Sequence, residues 1–106
     1  MAADPAKIAI TMSTLEEALA LARMLVEQRL AACVNILPGA RSIYRWKEKI
    51  EEAEEAMLVI KTTAANILLV EEALKSLHSY ELPEFVVLDV DGVSDAYLQW
   101  IQSSVR

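Results

Sequence analysis

The chain carries one histidine and one cysteine, the side chains best suited to metal binding and nucleophilic attack. His78 closes a helical stretch, five residues before the dipeptide Pro83-Glu84. An imidazole and a carboxylate both ligate divalent cations, so His78 and Glu84 are the candidate metal pair, for copper or zinc. A second reading makes His78 an ordinary residue at a helix C-terminus, where a positive charge suits the dipole. Cys33 is flanked by the small apolar residues Ala32 and Val34 and has no second cysteine to share a metal, so a buried, inert thiol is expected. A Cys33–His78 nucleophile and base would lack a third, orienting member, and no catalytic role is expected.

A richer group mixes one cation, one carboxylate and four aromatic rings: Lys61, Glu84, Tyr44, Trp46, Tyr80 and Trp100. With Cys33 these side chains can line a mostly apolar ligand cleft, where Lys61 would hold an anionic group and Glu84 a cationic group or metal. They suit a structural role equally well, with Lys61 paired to an acid and the aromatic residues anchoring a subunit interface. Glu51, Glu52, Glu54 and Glu55 crowd a strand limb, but alternate residues of a strand point to opposite faces. They read as a solvated edge balanced by Lys47 and Lys49, and not as one chelate. Glycine-rich phosphate loops, Cys-x-x-Cys pairs and His-Glu-x-x-His helices are absent from the sequence.

The elements that would position these residues follow from periodicity. Lys7–Met12 reads as a strand. Ser13 or Thr14 then caps a helix, since both Ser13…Glu16 and Thr14…Glu17 fit a capping box. The stripe Leu15, Ala18, Leu19, Ala22, Leu25 and Val26 carries that helix to about Gln28–Leu30. Cys33–Trp46 and Ile50–Thr63 form a β-hairpin of two fourteen-residue limbs, against a usual strand of about 5–6. Such a hairpin must bend or protrude, and Leu37-Pro38-Gly39 is the expected bend. Its tip, Lys47-Glu48-Lys49, is a poor match to tight turns, which favour glycine, so it is expected to be longer or strained. Thr62 or Thr63 caps a second helix with a buried stripe of Ile67, Val70, Leu74 and Leu77, broken by Ser79–Pro83. Phe85–Val90 is a strand, Asp91-Gly92 a turn, and Ser94 caps a last helix carrying Tyr97, Leu98, Trp100, Ile101 and Val105.

The order β-α-β-β-α-β-α contains two βαβ halves, the split ferredoxin-like arrangement, in one α+β domain. Right-handed crossovers put both crossover helices on one sheet face. The last helix is too short to cover the other face, so a second copy of the chain is expected there.

Several ordered motifs also resemble the CutA family of divalent-cation tolerance proteins. They are Ala32-Cys33-Val34-Asn35, Leu37-Pro38-Gly39, Ser42-Ile43-Tyr44, Trp46 and Lys61-Thr62, then Leu77-His78-Ser79-Tyr80 with Leu82-Pro83-Glu84, then Tyr97-Leu98 with Trp100-Ile101. The resemblance spans about Lys7 to Arg106. It implies a ferredoxin-like fold, a homotrimer shaped like PII signalling proteins, and no defined activity. Copper-binding bacterial members pair the histidine with a neighbouring histidine and a first-strand cysteine. Here those positions hold Leu77 and Ile10, so a tight copper site on that pattern is not expected. The resemblance implies a part in metal tolerance; the rival readings are a PII-like sensor of a small molecule and a trimeric scaffold for a partner protein.

Composition narrows the partners. The 106 residues carry a net charge of −6, which disfavours nucleic acid and anionic lipid surfaces. An apolar fraction of 55% exceeds the common range and fits a core plus an apolar interface. With a lone cysteine, no signal-peptide pattern and no long apolar run, the expected location is the cytoplasm. The first six residues are expected to fray.

Overall fold

Strong helix formers account for the helices, and side-chain caps start two of them. Thr14 caps α1 (Leu15–Glu27), its hydroxyl accepting the Glu17 amide at 3.2 Å, and Ser94 caps α3 (Asp95–Ser104) by accepting the Tyr97 amide. The C-terminus of α1 closes with Arg29 in the left-handed region, φ 60°, where glycine is usual. The Leu30 amide returns to Leu25 O and the Arg29 amide to Val26 O, the double bond of a Schellman end. Neither Thr62 nor Thr63 caps α2 (Ile67–Leu77). A 3₁₀ turn, Ala64–Asn66, intervenes; Thr62 instead donates to Leu30 O, and Thr63 Oγ1 accepts from the side-chain Nδ2 of Asn66.

The computed structural model describes residues 4–106. Its strands are β1 (Ala6–Ser13), β2 (Cys33–Trp46), β3 (Lys49–Thr63) and β4 (Val86–Asp89). They form an antiparallel sheet in the order β2-β3-β1-β4, so β3 and β1 are central and β2 is an edge. The last strand is shorter than Phe85–Val90 predicts. The expected fraying does not hold for residues 4–6: Asp4 accepts the Ala65 amide at 3.0 Å, Pro5 O accepts Ala64, and Ala6 pairs with Thr63. Residues 1–3 lie outside the described part.

Period-two alternation divides the sheet. Ala9 of β1 and Ala56, Leu58 and Ile60 of β3 point to the helix side, where they bury Ala18, Leu21, Ala22 and Leu25 of α1 and Val70 and Leu74 of α2. Each helix buries a narrower stripe than expected: Leu15, Leu19, Val26 and Leu77 are exposed, and Leu21 replaces them in the core. The opposite face carries Ile8, Ile10 and Val59 with Val86 and Leu88 of β4, aligned by the β1–β3 and β1–β4 register. At one end of that face α3 packs Ile101 and Val105 on Ala6 and Ala32. The row Ile8, Ile10, Val59, Val86 and Leu88 is half-buried or exposed, and among the described residues no helix covers it.

The hairpin extends the molecule to 50 × 26 × 22 Å. Its bend is a β-bulge: Leu37 faces Met57 whereas Ala40 faces Glu55, so β2 holds one extra residue, and Gly39 takes φ 78°. The extra residue reverses the alternation of β2. Cys33, Asn35 and Leu37 share the open face with Ser42, Tyr44 and Trp46 only because of it.

Trp46 pairs with Lys49, leaving Lys47 and Glu48 as a two-residue turn, with φ 50° and 68°. This is the short, strained tip, in the positive-φ geometry of a type I′ turn. Glu48→Gly is therefore expected to raise stability by roughly 0.5 kcal/mol, strain relief exceeding glycine's chain entropy. A rise in Tm by calorimetry checks it; a fall would mean the turn relaxes at no cost in solution.

Candidate functional site

A groove of ≈ 690 Å³ lies on the open face between the hairpin and the segment that follows α2. Tyr44 and Trp46 come from β2 and Glu55 from β3; Met12 forms part of the floor; Tyr80, Glu81, Leu82 and Glu84 form the far wall. The bulge explains the β2 contribution, since it turns Tyr44 and Trp46 toward Met12 and Glu55.

His78 holds the far wall from behind. Its side chain is fully buried. Nε2 lies 2.7 Å from Met12 O, and Nδ1 lies 3.2 Å from the Tyr80 amide nitrogen. A carbonyl can only accept and an amide N–H can only donate, so these partners select the Nε2–H tautomer. Glu17 Oε1 stands 3.4 Å from Nδ1 and accepts the Ser79 amide at 3.3 Å. Glu17 therefore anchors the loop and does not complete a capping box with Thr14. The His78 and Tyr80 rings pack with centroids 4.7 Å apart.

Tyr80 then reaches the hairpin, its hydroxyl donating to Glu55 Oε2 at 2.9 Å. Burial first, then the hydrogen bond and charge of Glu55, push its pKa up to about 12 from an ordinary 10.0. The sign follows: the neutral phenol is favoured by the fold, so this contribution to stability is whole below pH 10.0 and is lost as pH rises toward about 12. Tyr80 should ionise well above the ordinary 10.0 in an alkaline absorbance titration, and Glu55→Gln should bring it earlier. An alkaline titration unchanged by Glu55→Gln would remove the Tyr80–Glu55 bond from the solution structure.

The structure brings together only part of the predicted group. Tyr44, Trp46, Tyr80 and Glu84 share the groove. Cys33, Lys61 and Trp100 lie toward the other end of the open face, beside α3: Cys33 is the cross-strand partner of Lys61, whose Nζ lies 5.7 Å from the Tyr97 ring, and Tyr97 packs against Trp100 at 5.2 Å. Cys33 is half-buried and contacts Asn35 Oδ1 at 3.7 Å, so the expected burial of the thiol is not realised within one chain. As a metal pair, His78 and Glu84 are differently placed. Both ring nitrogens of His78 are occupied, and Glu84 is exposed on the groove wall. Among the described residues, no three His, Cys, Asp or Glu side chains gather as a metal would require.

Sequence reasoning missed Glu17, Glu55 and Glu81. The first two had been absorbed by a capping box and an acidic limb. The register itself separates that limb, with Glu55 serving Tyr80 while Glu52 pairs with Arg41 at 3.0 Å. Lys47, expected to balance the limb, instead approaches Glu81 at 3.8 Å and lies 5.6 Å from the Trp46 ring centroid. A single sequence carries no signal for these pairings, because the partners come from distant parts of the chain.

The profile of the CutA1 divalent ion tolerance protein family matches residues 6–104. The divalent-cation tolerance protein CutA of Thermus thermophilus is 42% identical over 97 residues, covering 92% of this chain and 94% of that protein. Protein CutA, chloroplastic, of Arabidopsis thaliana is 38% identical, covering 92% of this chain and 53% of that protein, so this chain spans about half of that relative. The crystal structure of CutA1 from Oryza sativa superposes with a TM-score of 0.94 at 33% identity, covering 98% of this chain and 96% of that one.

Proposed function

Since the chain belongs to the CutA1 divalent ion tolerance family, we propose that it serves divalent-cation tolerance as a non-enzymatic, cytoplasmic homotrimer of ferredoxin-like, PII-like subunits. The half-exposed apolar row across Ile8, Ile10, Val59, Val86 and Leu88 supports assembly, because a sheet face of this kind packs against another sheet. The observation that carries the cation reading is Glu84: an exposed carboxylate at the groove wall, with no ion pair among the described residues. Isolated carboxylates bind hard or borderline cations weakly and release them quickly. His78 supports the wall, with both ring nitrogens engaged by the backbone.

Calorimetry with Zn(II) and Cu(II) on the wild type and Glu84→Gln tests this. Weak binding, reduced by the substitution, is expected. Tight binding by the wild type that Glu84→Gln leaves unchanged would take the cation away from Glu84 and overturn this reading. A second reading, a sensor of a small molecule, is favoured by the groove itself, whose volume of ≈ 690 Å³ lies within the range of small-molecule sites.

A further inference from the structure

We propose that His78 is a proton-operated latch: a second proton on its ring moves Nδ1 from the Tyr80 amide to the Glu17 carboxylate and releases the segment that follows α2. The latch requires no open groove, because the ring lies beneath that segment and is fully buried. Two groups compete for Nδ1. The Tyr80 amide nitrogen is 3.2 Å away and Glu17 Oε1 is 3.4 Å away. In the neutral ring Nδ1 accepts from the Tyr80 amide, and the Glu17 carboxylate faces a lone pair with no proton between them. In the doubly protonated ring Nδ1 can only donate. The Tyr80 amide then meets another N–H, and Glu17 Oε1 is the acceptor within reach. The proton thus turns an electrostatic mismatch into an ion pair.

The elements packed around the ring favour the exchange. On α1, Glu17 is already held in place, since Oε1 also accepts the Ser79 amide. On β1, the Met12 carbonyl accepts from Nε2 in both forms of the ring, so the ring stays anchored while Nδ1 changes partner. At the end of α2, His78 is the C-cap and its own amide bonds to Leu74 O. A positive charge at a helix C-terminus is favoured by the dipole. Glu55 of β3 and Tyr44 of β2 act one side chain further out, on Tyr80. Acidification therefore cuts the backbone tie of Tyr80 to the ring. Two side-chain ties to the hairpin, Tyr80 to Glu55 and Glu81 to Lys47, are then left to hold the segment.

His78 is the only histidine, so nuclear magnetic resonance reads its ring without ambiguity. The test titrates the full chain in its solution assembly from about pH 8 to about pH 5, where imidazoles titrate and ordinary carboxylates stay ionised. The Nδ1 signal should change from that of a bare nitrogen to that of a protonated one while the chain stays folded. The Tyr80 amide signal should move with the same midpoint. Glu17→Gln keeps an oxygen for the Ser79 amide but removes the charge, and it should lower that midpoint by about one pH unit. His78→Gln should leave the Tyr80 amide without a pH response over the range. A ring that stays neutral across the whole range would overturn the latch, as would ring protonation that leaves the Tyr80 amide signal unmoved. So would a midpoint that Glu17→Gln does not lower, or loss of the whole fold at that midpoint.

Discussion

His78→Ala is expected to destabilise the chain by about 3 kcal/mol, the largest loss from any one side chain of the groove region. Two costs combine. The imidazole is fully buried, so its removal leaves a cavity beneath Tyr80. It also leaves Met12 O and the Tyr80 amide without their partner. For a domain of this size the loss amounts to a fall in Tm on the order of 15 °C. His78→Gln should recover part of the stability, because the glutamine amide can still donate to Met12 O. Neither variant should leave the groove wall intact, since the Tyr80 amide is no longer held; the late-ionising tyrosine should then ionise nearer pH 10.0. Urea unfolding of the three proteins measures the ranking. Equal stability of His78→Ala and the wild type would show that the loop after α2 is held by Glu17 alone.

Loss of assembly is the second large effect. In the proposed homotrimer, Tyr44→Ala and Trp46→Ala should each weaken association by about 2 kcal/mol or more, because buried aromatic residues dominate interface energies. That is roughly a thirtyfold change in dissociation constant per contact. Leu88→Glu should act more strongly. It places a charge on the apolar row beside Ile8, where covering by a second sheet would leave the carboxylate buried and unpaired. Because Leu88 is exposed in the single chain, the subunit itself should stay folded. Light scattering at micromolar concentration should report three copies for the wild type and fewer for Leu88→Glu. A monomeric wild type would defeat the assembly proposal, and an unchanged Leu88→Glu trimer would move the seam off this face.

Residue periodicity alone was enough for the elements, their order and most of their ends. Thr14 and Ser94 carry the local chemistry of caps, and the run from Cys33 to Thr63 alternates through two limbs that had to pair. The hairpin's length and its bend at Pro38-Gly39 were legible for the same reason: strand rise and glycine's positive φ are local properties. The tip was harder. Lys47 and Glu48 are not turn formers, and the two-residue turn exists because strand pairing on both sides imposes it.

The site was legible as a set of residue types and not as a place. Tyr44, Trp46, Tyr80 and Glu84 do meet, but Cys33, Lys61 and Trp100 stand toward the opposite end of the face, and spacing along the chain says nothing about that division. Only the register, with one extra residue in β2, decides that Tyr44 and Trp46 face Met12 and Glu55. Only the path of the chain after α2 decides that His78 spends both nitrogens on Met12 and Tyr80, which removes the side chain best suited to bind a metal. Local sequence thus determined the elements, because hydrogen-bonding pattern and alternation act over a few residues. The tertiary structure decided the chemistry, because what a titratable or aromatic side chain does depends on partners that arrive from distant parts of the chain.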